Sequence, residues 1–115
     1  MDIRLEEMPF EFQGKTYKLR CNMNVLADVQ ELHNGNLRKA LEDDATQLTV
    51  TMEFLVAMMN DYSDEMGWEE KFTARSLGRY LIPRDVKSAK IFRLVANALF
   101  AETSANSESE DNSKN

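Results

Sequence analysis

Around Gly14 the chain alternates. Phe10 and Phe12 are separated by Glu11 and followed by Gln13, and the alternation resumes at Tyr17, Leu19 and Cys21. A period of two marks a strand with one covered face, and a glycine between two such runs marks a hairpin. With Gly14-Lys15 as a two-residue loop, Gly14 meets the need of a type II′ turn for glycine at its first position. That hairpin gathers Phe10, Phe12, Tyr17, Leu19 and Cys21 on one face and leaves Lys15, Lys18 and Arg20 mostly in water. An isolated hairpin is marginal, so its apolar face must rest on something else, and helices are the obvious partner.

From Asn24 the period changes. Asn24 reads as the N-cap of a helix with the stripe Val25, Leu26, Val29 and Leu32, closed by Asn34-Gly35. A short helix follows, with Leu37, Ala40 and Leu41 inward and Arg38, Lys39 and Glu42 outward. Asp43 to Thr46 is a break, where Asp44 and Gln47 have the spacing of a capping box. The next helix, from about Leu48 to Met66, is the most informative. Leu48, Met52, Leu55, Met59, Tyr62 and Met66 are spaced 4, 3, 4, 3 and 4, a heptad-like seam. Val50, Phe54, Val56 and Met58 widen the apolar arc past half the circumference, leaving Thr49, Glu53, Asn60 and Asp64 as a polar strip. A helix this apolar is central to its domain or is covered by a partner.

Two more helices complete the pattern. One, over 69–81, turns Phe72, Leu77, Tyr80 and Leu81 inward. The other, capped by Asp85 and running to about Glu102, turns in Ala89, Phe92, Val95, Ala96, Leu99 and Phe100. Between them Ile82-Pro83-Arg84 breaks the chain, because proline disfavours helix at the residue before it. The expected fold is α+β, mainly α: an N-terminal β-hairpin followed by four to five helices in a small bundle. Residues 1–102 form a single domain. Thr103–Asn115 holds four Ser, three Asn, four charged residues and no apolar side chain larger than Ala, which predicts a disordered polar tail.

Charge sharpens the picture. Against 14 Lys+Arg stand 20 Asp+Glu, a net charge of −6 among 115 residues, so the average surface repels nucleic acid and anionic lipid. The charges are segregated. Residues 42–70 carry nine acidic groups and no basic one, whereas 71–93 carry Lys71, Arg75, Arg79, Arg84, Lys87, Lys90 and Arg93 against Asp85 alone. Three readings follow: the halves neutralise one another within the fold, they dock onto a partner of opposite pattern, or the basic segment is a helix-turn-helix for DNA. The opening Met1-Asp2-Ile3-Arg4-Leu5-Glu6-Glu7 is too acidic and mixed for a secretory signal. No run approaches the length of a membrane span.

Candidate chemistry is sparse. His33, the only histidine, lies by a helix end with no evident nucleophile within reach. Cys21, the only cysteine, falls on the inward phase of a strand, where a thiol packs as a small apolar group. It excludes an intrachain disulfide and a cysteine zinc site, and suits a reducing cytoplasm. Gly14, Gly35, Gly67 and Gly78 are too scattered for a phosphate loop. Asp61, Asp64 and Glu65 lack calcium-loop spacing and read as a solvated helix end. These observations call for no enzyme, cofactor or metal. Methionine is in excess: Met52, Met58, Met59 and Met66 are four of seven. They serve either as core filling or as an adaptable apolar groove for a partner helix, expected on the Phe54/Met58 side.

The order Phe10-x-Phe12-x-Gly14-Lys15-x-Tyr17-x-Leu19, then Asn24–Glu31, Gly35–Leu41, Ser76–Leu81 and Val95–Leu99, resembles small tail assembly chaperones of long-tailed bacteriophages and prophages of Gram-positive bacteria. The resemblance spans about residues 8–100. It implies a non-enzymatic protein that coats the helical tape measure protein, helps recruit tail tube subunits, acts in the host cytoplasm and is absent from the finished virion. It also implies that a frameshifted, extended form could begin near the polar tail. It assigns no ligand residues. From the residues alone, the partner-binding candidates are Phe54, Met58, Met59 and Met66 on the apolar arc and Arg75, Arg79, Lys90 and Arg93 on the basic stripes. A second copy of the chain would suit the same arc. The other function kept open is a small prophage DNA-binding regulator using 71–93.

Overall fold

A computed structural model describes residues 5–100 of the chain. The order is β1 (Met8–Phe12), β2 (Lys15–Leu19), α1 (Met23–His33), α2 (Leu37–Glu42), α3 (Asp44–Met66), α4 (Ala74–Gly78) and α5 (Pro83–Ser88). Residues 91–100 form a last helix, α6. The α+β, mainly α architecture with an N-terminal hairpin is therefore the observed one, with six helices. The tail expected over 103–115 lies outside the described residues.

β1 and β2 pair antiparallel, with Phe10 opposite Tyr17 and Phe12 opposite Lys15. The loop is thus Gln13-Gly14, one residue earlier than Gly14-Lys15. Both loop residues have positive φ, +50° and +84°, which is the type I′ geometry whose twist matches that of the strands. Glycine takes the second loop position and Gln13 accepts the left-handed conformation at the first. The alternation survives the shift: Phe12, Tyr17, Leu19 and Cys21 are buried. Two of the three cations expected in water are engaged. Lys15 Nζ lies 4.7 Å from the centre of the Trp68 ring, and Arg20 pairs with Glu65 and Glu7. Lys18 is exposed as expected.

The helices start earlier than the local patterns suggest. Asn22, not Asn24, caps α1, its Oδ1 accepting from the Val25 amide at 3.0 Å. Its Nδ2 also donates to Asp61 on α3 at 2.8 Å, so the cap doubles as a tether between helices. Asp43, not Asp44, caps α3 through the Ala45 amide, while Gln47 reaches back to the Leu41 carbonyl. α3 closes with Gly67 at φ +76° and bonds from the Gly67 amide to Asp64 and from the Trp68 amide to Ser63, the paired bonds of a Schellman turn.

Past Trp68 the structure departs further from a simple periodic reading. Residues 69–73 are not helical, and α4 is a five-residue piece capped by Thr73 and Ser76. Pro83 starts α5 rather than preventing it, because the first helical position has no partner for an amide hydrogen anyway. Asp85 lies inside that first turn, accepting from the Ile82 amide at 3.1 Å. The single final helix expected from Asp85 is two: Lys90, at φ +62°, separates α5 from α6.

The core lies around α3. β2, α1, α2, α4 and α5 each pack against it. Val50, Phe54, Leu55, Met58 and Met59 are buried along it, joined from α6 by Ile91, Leu94 and Val95. At its C-terminal end the apolar filling is aromatic. Tyr17 makes edge contacts with Tyr62, Trp68 and Phe72, and Phe12 with Phe72 and Tyr80. Perpendicular rings place the positive edge of one on the negative face of the next, so this cluster fixes the hairpin to the end of α3.

Candidate functional site

One face of the N-terminal half of α3 is left partly uncovered. Leu48 and Met52, the first two members of the heptad seam, are only partly buried, because the elements above them, α4 and α5, are too short to cover them. Between α3, α4 and α5 lies a cleft of about 230 Å³. Its floor is Leu48, Met52 and Val86, and its rim is Leu81, Ile82 and Pro83. Thr49, Ala74 and Gly78 complete it, so none of its lining side chains is titratable. Gly78 helps shape the wall: a Cβ there would lie 3.8 Å from the Met52 terminal methyl. Ile82, half exposed at 50%, stands at the edge like a post.

Cations frame the cleft. On one side Arg75 and Arg79 flank Gly78 in an adjoining depression. On the other, Lys87 borders a second depression that shares Leu48 and Val86 with the cleft and adds Phe92 and Asp44. Within 71–93 only Lys71 forms an ion pair among the described residues, with Asp64 at 3.1 Å. Lys71–Asp64 is thus the one ion pair that joins the acidic and basic segments among the described residues. Arg75, Arg79 and Lys87 are exposed and make no ion pair with another described residue.

The partner-binding residues expected from the sequence divide sharply. Phe54, Met58 and Met59 are 0%, 1% and 0% exposed. The groove expected on the Phe54/Met58 side is absent, because the elements packed around α3 cover the wider arc as well as the seam. Met66 does emerge, 48% exposed, but it lies 14 residues along α3 from Met52, about 21 Å at helical rise. Arg75 and Arg79 border the cleft. Lys90 and Arg93 are exposed but are not among its lining residues. Leu81 was expected to turn inward but lies on the cleft's rim, and Ile82, Pro83 and Val86 were given no face because they fall in the break and the short helix after it. The signal available was Ile82 and Val86, apolar residues assigned to no inward face.

The helix-turn-helix weighed for 71–93, one of three readings of the charge pattern, does not form as such. α4 and α5 have five and six residues, about 8–9 Å of helix each, too short to lie along a groove of duplex DNA.

The groups weighed for catalysis have other work. His33 Nε2 is 2.6 Å from Glu53 Oε1, which ties the last turn of α1 to α3. Cys21 is buried, and burial pushes its thiol up to about 11, so near neutral pH it carries no nucleophilic thiolate. Asp61 faces Asn22 and Asn24, Asp64 faces Lys71, and Glu65 faces Arg20. These carboxylates diverge, and among the described residues no three His, Cys, Asp or Glu side chains gather as metal ligands. No helix among the described residues is long and apolar enough to cross a membrane.

Comparison with protein-family models, curated proteins and solved structures found no match to this chain. The geometry of the cleft and its rim thus stands as the chief structural guide to function.

Proposed function

We propose that the chain is a phage or prophage tail assembly chaperone. It is a non-enzymatic protein that binds the tape measure protein in the host cytoplasm during tail morphogenesis and helps bring tail tube subunits to it. The observation that carries this reading is the apolar cleft between α3, α4 and α5, rimmed by cations that pair with no acid among the described residues. A long helix left bare exposes apolar side chains and aggregates. A small domain that offers an apolar slot with a flexible methionine in its floor can cover successive segments of such a helix without demanding one sequence. The pattern of elements that resembles tail assembly chaperones supports the same reading. The test is coexpression with the long helical protein encoded beside this chain. Its gene should lie immediately downstream, and the protein should stay soluble only when this chain is present. Absence of such a gene, or insolubility with and without the chain, refutes the proposal.

One observation favours a second reading, a small DNA-binding regulator: six of the seven basic residues in 71–93 make no ion pair with another described residue. A steep loss of duplex-DNA affinity with salt would support it. Against it stand the short helices α4 and α5.

A further inference from the structure

We propose that the cleft between α3, α4 and α5 receives an acidic amphipathic helix. The helix seats aliphatic or methionine side chains on Met52 and Leu81, and its flanking carboxylates meet Arg75 and Arg79 on one edge and Lys87 on the other. The proposal rests on the client-binding reading above and supplies the chemistry of the client segment.

Size is the first argument. Small-molecule sites usually occupy roughly 300–1,000 Å³, and this cleft, at about 230 Å³, falls below that range. It accommodates a few side chains of a larger partner. Lining is the second. The cleft is almost wholly apolar, with Thr49 its one polar side chain, so whatever enters it must be apolar too. A nucleic acid backbone has nothing to place there. Anchors at i, i+3 or i+4 on one face of a helix supply a compact apolar row of the right kind.

Charge fixes the rest. Arg75 and Arg79 border the cleft through the shared Gly78, and Lys87 borders it through Leu48 and Val86. None of the three pairs with an acid among the described residues. A partner with carboxylates on both sides of its apolar row meets Arg75 and Arg79 on one edge and Lys87, which shares its depression with Asp44, on the other, whereas a basic helix meets repulsion at the arginine edge. The chain's overall negative charge does not forbid this, because charges beyond about 8 Å are largely screened at physiological ionic strength.

The test uses the full chain and two labelled helical peptides of equal length. Both carry leucines at i, i+3, i+4 and i+7, one with glutamates and the other with lysines at the flanking positions. Fluorescence anisotropy should show the glutamate peptide binding at least about tenfold more tightly, a difference of 1.4 kcal/mol. Combining Arg75→Glu with Arg79→Glu should invert that order. Ile82→Ser, at a half-exposed site, should weaken the glutamate peptide about tenfold while moving Tm by less than about 2 °C. Equal binding of the two peptides overturns the proposal, as does undiminished glutamate-peptide binding by the charge-reversed chain. So does a rim that responds only in self-association or only in duplex-DNA binding. A chain that keeps the long helical client soluble yet shows no charge preference retains the chaperone reading and loses this one. A chain that prefers the glutamate peptide but ignores the client does the reverse.

Discussion

The Asn60 side chain treats Phe72 as a neighbouring strand would. Its Nδ2 donates to the Phe72 carbonyl at 2.8 Å, and its Oδ1 accepts from the Phe72 amide at 2.7 Å. One side chain on α3 thereby satisfies both backbone groups of a residue in a non-helical segment, and the Phe72 ring is set among Phe12 and Tyr17.

Asn60→Ala should therefore cost about 1–3 kcal/mol, the range for leaving partly buried polar groups without partners. Chemical denaturation checks the size. Hydrogen exchange at the Phe72 amide should accelerate more than at amides of α1. A loss below about 0.5 kcal/mol would mean that water replaces the side chain without penalty.

The methionines of α3 should separate by position. Met59→Ala should destabilise by about 2–5 kcal/mol, as large-to-small changes in packed interiors do, and Met58→Lys should prevent folding by burying an unpaired charge. Met66→Lys, at the exposed end, should stay within about 0.5 kcal/mol of the parent. Circular dichroism melts of the three variants test this. A folded Met58→Lys chain of parental stability would move Met58 out of the core.

The hairpin turn should respond to its second-position glycine. Gly14→Ala, at φ +84°, should lose about 1 kcal/mol or more. Gln13→Asn should gain about 0.5 kcal/mol, because asparagine before glycine suits a type I′ turn. Were the loop Gly14-Lys15, the asparagine would have no such effect.

Gly78 presents the opposite case. It is helical, and a Cβ there meets Met52 at ordinary contact distance, so Gly78→Ala should be neutral or stabilising by up to about 1 kcal/mol. Because the added methyl faces the cleft, binding of the glutamate peptide is the readout to follow beside Tm.

Cys21 should resist thiol reagents at pH 7 until the chain unfolds. Burial raises its thiol from 9.0 to about 11, so below pH 9 the thiol is protonated in both states and adds no pH dependence. Above pH 9 the unfolded chain releases the proton first, and stability should fall as pH rises towards 11. Alkylation of the native protein at the rate of a free peptide thiol would refute the burial.

Periodicity was a sound guide where an element's packing is set by its own repeat. The alternation at Phe12, Tyr17 and Leu19 and the seam at Leu55, Met59 and Tyr62 lie where the patterns put them. It failed where a distant group decides. Residues 69–73 have a helical pattern, but Asn60 and the aromatic cluster hold them open. Asn22 and Asn24 are equally good caps locally, and both reach the distant Asp61, but the one that caps makes the shorter bond, 2.8 against 3.5 Å. No glycine or proline announces the left-handed turn at Lys90. The width of the apolar arc on α3 was legible, but arc width cannot tell a surrounded helix from one awaiting a partner. The cleft was hidden for the same reason, since it depends on how little of α3 the short α4 and α5 cover.

Because β2, α1, α2, α4 and α5 are all laid against α3, the chain has an axle and no second bearing. A cut within α3 strands every other element at once, so no pair of complementary fragments divided there should reassemble from independently folded halves. The same layout divides the rim. α5 rests on the axle, whereas α4 is also tied to the hairpin on both sides, through the contacts of Phe72 and Tyr80 with Phe12, so the two walls of the slot are anchored to different parts of the fold.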